Sequence, residues 1–268
     1  MTFLENSSIK DIIKQVENLT DKSVVFIEKE GLKVHAKVKV ARHEMKEHYI
    51  FYNSRYSSFT PHLIAHECGH ILRIFRAPPD QRLMPVSSRN CRRMFVAHVS
   101  EDIKKASKIV KGPINPLIDI WLNGIILQVT NYPEDMNIES WIYNDYPELK
   151  EDQEKVIESQ FDQVVQALTS ESIIRTTPDE VFEAAQVMNY VFFKRIGKLL
   201  RKNYLKPFQS WKKIQEKGED LLEITEKNMA DHDTVDFSMI NRWAEFLGVE
   251  KWFCWADFED IPENYLEI

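Results

Sequence analysis

The chain has 268 residues, 43% of them hydrophobic and 29% charged, a composition that buries a sizeable core without disulfides. Its formal net charge of −7 gives it no general attraction to nucleic acid or anionic membrane. Cys68, Cys91 and Cys254 form no Cys-x-x-Cys pair, the N-terminus has no basic-then-apolar leader, and no apolar run approaches the roughly 20 residues of a spanning helix. A cytoplasmic protein without a membrane partner is therefore expected.

In chain order, residues 6–18 read as an amphipathic helix with Ile9, Ile12, Ile13 and Val16 on one face. Three strand-like runs follow, at 23–27, 32–40 and 49–52. A turn at Lys29-Glu30-Gly31 suggests a hairpin, and the set predicts a small, mainly antiparallel N-terminal sheet. Thr60-Pro61 starts a helix that runs to about Phe75 and stops before Pro78-Pro79. Further helices are expected at about 91–110 and 116–129. Tyr132-Pro133 and Tyr146-Pro147 bracket a short segment. Beyond it the pattern is helical, at about 148–168, 178–203, 207–217, 219–229 and 237–247, with an aromatic, acidic tail at 252–268 that docks on the body. The expected fold is α+β and mostly helical, divided into residues 1–135 and a helical 136–268, with the two halves free to share one core.

The strongest chemical signal is His66-Glu67-Cys68-Gly69-His70. Residues four apart on a helix lie one above the other, so two imidazoles can meet one ion. Zinc lowers the pKa of a bound water to about 7, and a carboxylate beside it can take the proton during attack on a carbonyl. On a helical wheel Ile64, Cys68, Ile71 and Phe75 form the apolar stripe, which leaves His66 and His70 facing a cleft and Cys68 in the core. Gly69 leaves room for close approach. A third protein ligand is required, and the following helix offers Glu101 and Asp102. The wheel favours Asp102, at the margin of the inward face. His98 is a weaker candidate as a ligand or as a partner to one.

This arrangement resembles the zincin metallopeptidases, and within them the gluzincin branch and its ImmA/IrrE-like domains, over about residues 49–109. The resemblance implies Zn2+-dependent hydrolysis of peptide bonds, with His66 and His70 as ligands and Glu67 as general base. It puts the third ligand at Glu101, though the acid that follows at Asp102 and the missing Glu-Ala-x-x-Phe-Ala continuation depart from the pattern. It also implies an extended protein or peptide substrate lying along an edge strand, expected at His48–Asn53. Two other readings fit the sequence. One is a regulatory module acting on a single protein partner. The other is a nucleic-acid-associated protein with a structural zinc, suggested by the basic, aromatic stretch from Lys194 to Lys213. The first of these basic features reads more simply as a solvated helix face, and so does the Arg89, Arg92, Arg93 cluster.

Overall fold

The computed structural model describes residues 2–32, 34–53, 55, 59–228 and 237–263. It is mostly helical, with 71% of the described residues in helices, and has a small sheet. Helix α1 (Ser7–Thr20) begins where the Asn6 side chain accepts the Ile9 N–H at 3.2 Å, and its buried stripe of Ile9, Ile12 and Val16 faces the sheet and α2. Strands β1 (Ser23–Glu28), β2 (Ala36–Lys39) and β3 (Glu47–Tyr52) form one sheet in the order β1-β3-β2.

This sheet differs from the expected one. β1 and β3 are parallel, only β2 and β3 are antiparallel, and no β1–β2 hairpin forms at Gly31. β3 buries alternate residues, His48, Ile50 and Tyr52, and its position between two neighbours pairs both of its backbone edges. The edge beside the motif helix is therefore β2, not His48–Asn53. Lys37 and Lys39, alternating with Ala36 and Val38, are the residues an edge strand tolerates.

Helix α2 (Thr60–Arg76) carries the His-Glu-x-x-His motif over nearly the expected span, with Pro61 in its first turn. Ile64, Cys68 and Ile71 are fully buried against α1 and the sheet. Strand β4 (Leu83–Val86) pairs antiparallel with β5 (Cys254–Asp257), so the C-terminal stretch does return to the body. Arg42, 1% exposed, clasps it by donating to the carbonyls of Ile261 at 2.9 Å and Pro262 at 2.8 Å. The last part of the expected tail, 264–268, lies outside the described residues.

The expected helix at 91–110 is two helices, α3 (Arg89–His98) and α4 (Ser100–Ile109), separated at Val99. The larger difference is α5 (Asn115–Asp145), a 31-residue helix that runs straight through Pro133. Proline removes one N–H and crowds the preceding turn. Buried Val129 on one side and Ile138 and Ile142 on the other fix the helix across it. Helices α6 (Lys150–Thr169), α7 (Glu171–Thr176), α8 (Asp179–Leu200), α9 (Lys212–Asn228) and α10 (Phe237–Leu247) complete the fold. The two helices expected at 207–217 and 219–229 are mostly one, α9, and Met229 lies outside the described residues.

Among the described residues, beside a small cluster of Phe59, Leu63 and Val156, two large hydrophobic clusters result. One joins α1, the sheet and α2; the other joins the helices from α3 to α10. α5 belongs to both, through Ile118 to Met136 on the helical side and through Ile138 and Ile142 on the sheet side. The division expected at about residue 135 falls inside this continuous helix. α5 comes close to α2 because residue 69 is glycine: a Cβ there would stand 2.7 Å from Cγ2 of Ile138.

Candidate metal centre

The close approach of α2 and α5 sets two imidazoles of one helix against three acids of the other. Asp135 Oδ1 lies 3.3 Å from His66 Nε2 and 3.2 Å from His70 Nε2. The ring centroids of His66 and His70 are 5.0 Å apart. His66, His70 and Asp135 form the one group of potential metal ligands found among the described residues.

The other ring nitrogens have their own carboxylates. His66 Nδ1 is 2.8 Å from Glu139 Oε1, and His70 Nδ1 is 3.5 Å from Glu134 Oε2. A carboxylate behind Nδ1 holds the proton there and leaves a lone pair on Nε2. Both Nε2 lone pairs then face Asp135 Oδ1, itself an acceptor. That oxygen is buried, and its close contacts among the described residues are these two imidazoles. Three such acceptors converging on one point repel one another unless the rings are protonated or a metal ion lies between them. The two distances from Asp135 Oδ1 are close to the edge of a tetrahedral zinc shell, about 3.4 Å for bonds of about 2.1 Å, and all three ligand atoms lie within 4.8 Å of one another. By this test the residues fit a zinc-like divalent metal.

Glu139 is anchored in turn. It is 2% exposed, and its Oε2 lies 2.9 Å from His62 Nε2 and accepts from Gln153 Nε2 at 2.5 Å. Gln153 also donates to the Glu139 backbone carbonyl at 2.8 Å. Without a metal the charges lock together. Burial disfavours charge on all of these groups, yet the hydrogen bonds and charge of Asp135 and Glu139 raise the His66 pKa well above its usual value. For His70, burial is likewise outweighed by Asp135 and Glu134, and the value rises to about 9. Burial pushes Asp135 and Glu139 up, but the facing histidines hold both below the usual carboxylate range.

Glu67 is 8% exposed and stands between these groups and the sheet. Burial raises its pKa, opposed by the charges of His66 and His70 and by a backbone hydrogen bond from Val38 of β2. A carboxyl moved toward neutrality is suited to take up and release a proton. His66, Glu67, His70, Glu134 and Asp135 all line a cleft of about 950 Å³ that reaches from β2 to the helices α5, α6 and α8. Tyr132, one turn before Asp135, also lines it, its hydroxyl 2.9 Å from Asn189 Oδ1.

The structure thus brings together His66, His70 and Glu67 but not the expected third ligand. Glu101 is exposed and pairs with Lys104 at 2.6 Å. Asp102 pairs with Lys105 at 2.7 Å and accepts the Asp179 N–H at 3.3 Å. His98, at the end of α3, pairs with Glu180. None of the three joins the group. Asp135 was missed because Pro133 marked its segment as a break between helices. The signal was present in the spacing: Asp135, Ile138 and Glu139 share a face of one helix only if it continues through the proline. Cys68 is fully buried on the opposite side, where burial raises its thiol pKa, as expected of a core residue.

Three lysines of the basic stretch at 194–213 are ion-paired in place. Lys194 pairs with Glu219 at 2.5 Å, Lys202 with Glu154 at 2.7 Å and Glu158 at 2.6 Å, and Lys213 with Glu183. Arg92 pairs with Asp119 at 2.8 Å. Among the described residues no helix is long and apolar enough to cross a membrane. No protein-family model matches the chain, and no curated protein or solved structure gives a significant match.

Proposed function

We propose that the chain is a zinc-dependent peptidase in which His66, His70 and Asp135 hold the metal and Glu67 is the general base. The observation that carries this reading is the buried Asp135 oxygen between two imidazole nitrogens, with the buried carboxyl of Glu67 next to His66 on α2. Two imidazoles and one carboxylate are a donor set that suits zinc and leaves a position for substrate or water. The metal supplies Lewis acidity and a water more acidic than bulk water.

The chain's own groups do the rest. Glu67 accepts a proton from the attacking water on its carboxylate and passes it to the departing amine nitrogen. Glu139 and Glu134 keep the Nδ1 protons of His66 and His70 in place, so both Nε2 atoms stay free to bind. His62 and Gln153 hold Glu139 against the pull of its own charge. An extended substrate is supported by the sheet: β2 is an edge strand, lines the same cleft and reaches Glu67 through Val38.

The test is zinc content and peptide hydrolysis measured together in wild type and Glu67→Gln. The expected result is one zinc per chain in both, with cleavage of an unstructured protein such as casein lowered by about 10²–10⁴-fold in the variant. Undiminished cleavage by Glu67→Gln, or a wild-type protein that takes up no zinc, would overturn the reading.

A further inference from the structure

Only part of the 950 Å³ cleft is needed to hold a metal and a single scissile bond. Along α5 its lining runs from Asp135 back through Asn131 and Gln128 to Gly124. The eleven helical steps between Asp135 and Gly124, at about 1.5 Å each, make a trough of about 16 Å, with Trp121 and Ile120 lining its far end. α6 lines it over a similar length, from Val156 to Ala167, and α8 closes it with Val181, Phe182 and Ala185.

The chemistry of this helical wall is selective. Every lining residue from α6, α7 and α8, and from α5 before Glu134, is uncharged, although 29% of the chain is charged. Its polar groups are mostly carboxamides: Gln128, Asn131, Gln160, Gln163, Gln186 and Asn189. A carboxamide both donates and accepts, as a peptide group does, and can satisfy the backbone of an extended chain at any register. A hydrocarbon chain has no use for such groups and would leave them desolvated. A charged side chain entering the trough would lose its hydration without meeting a counter-ion.

We propose that this trough is the substrate-selecting subsite, and that it takes an uncharged, apolar peptide segment of about five extended residues, the number that spans 16 Å at about 3.3 Å each. The inference rests on the peptidase reading and adds the substrate class: polypeptides with a run of small and branched apolar residues flanking the cleaved bond. Gln160 and Gln163 hold the main chain, Gln186 and Asn189 being bonded to each other at 3.1 Å and, through Asn189, to Tyr132 at 2.9 Å, while the surfaces of Trp121, Val164 and Phe182 take the side chains.

The test is calorimetric binding to zinc-loaded Glu67→Gln protein, where turnover does not interfere. The probe is a blocked heptapeptide of leucine, valine and alanine, compared with analogues carrying one central lysine or glutamate and with a lauroyl amide of similar length. The expected result is at least tenfold tighter binding of the apolar peptide than of either charged analogue, and tighter binding than the lauroyl amide. Ala185→Glu should shift the preference toward the lysine peptide by at least tenfold at unchanged zinc content. Gln163→Glu, at the exposed rim, makes the same change of charge with less risk to folding. Equal binding of all peptides, no binding of any, or preference for the acyl chain would overturn the trough assignment. Selective binding by the variant alongside no cleavage by wild type would instead overturn the peptidase reading and leave the trough standing.

Discussion

Asp135 carries an argument that neither histidine carries alone. Two imidazoles one helical turn apart are common on protein surfaces; a buried carboxylate oxygen within 3.2–3.3 Å of both is held either by protons on the two rings or by a metal ion that replaces them. Asp135→Asn keeps the shape and removes the charge. It should abolish tight zinc binding by elemental analysis after dialysis, whereas Glu101→Gln and Asp102→Asn should leave the zinc content at one per chain. Loss of zinc in Glu101→Gln with retention in Asp135→Asn would reverse the assignment. Glu139 acts through His66, since it touches the ring nitrogen turned away from the site. Glu139→Gln should weaken zinc binding by about 10–100-fold without removing a ligand, and competition with a fluorescent chelator would measure it. The pH dependence follows from the same groups. In the metal-free protein His70 is protonated up to about 9, against about 6.5 in an unfolded chain. A folded-state pKa raised in this way contributes stability that is fully present below pH 6.5 and is lost as pH rises through 9. Metal-free protein should therefore unfold at lower urea concentration at pH 9 than at pH 6.5. Over the same window zinc affinity should rise, because fewer protons must be displaced. A midpoint that does not move between these pH values would contradict the charge assignment.

At the scale of elements, the centre depends on how closely α2 and α5 approach. Gly69 sits where that approach is tightest. A methyl group there would meet Ile138, which is 2% exposed and has little room to yield. Gly69→Ala improves helix propensity by up to about 1 kcal/mol but overpacks the contact by about 1–3 kcal/mol. The expected outcome is a small net loss of stability in denaturant titrations and a clear loss of zinc affinity, because Asp135 moves away with Ile138. Unchanged affinity would mean that the spacing of the helices does not set the site.

The same two helices show how far the sequence could be read. α2 was readable in most respects: the Pro61 start, the stop before Pro78, the buried Ile64, Cys68 and Ile71, and the histidines off that stripe follow from local rules, although the cap is Phe59 and not the Thr60 that capping preference suggests. α5 was not, because proline's local effect is to end a helix. Here packing on both sides of Pro133 overrides it, and no local pattern reports that packing. The sheet failed in a related way. A turn at Gly31 suggests a hairpin, but the partner of a strand is chosen by which face must be buried. β3 takes the centre, and the lysines of β2 were the available sign that it, not β3, lies at the edge.

For the molecule as a whole, the site lies between two hydrophobic clusters, with α5 passing through both. The proposed third ligand, Asp135, sits on a helix that continues into the C-terminal half, where Glu139 backs His66. Metal binding and global stability should be linked, since an ion bound only by the folded chain stabilises it by RT ln(1 + [Zn]/Kd). Zinc at 100 times Kd should add about 2.7 kcal/mol to the unfolding free energy. The His70→Ala variant should show no such gain in parallel melts, and an equal gain in that variant would place the binding elsewhere.

The central claim is tested most directly by diffraction from crystals of the zinc-loaded protein on either side of the zinc absorption edge. The account predicts one anomalous peak within about 2.0–2.2 Å of His66 Nε2, His70 Nε2 and an Asp135 carboxylate oxygen. A peak bound through other residues, or no peak between α2 and α5 in crystals whose protein holds stoichiometric zinc, would contradict it.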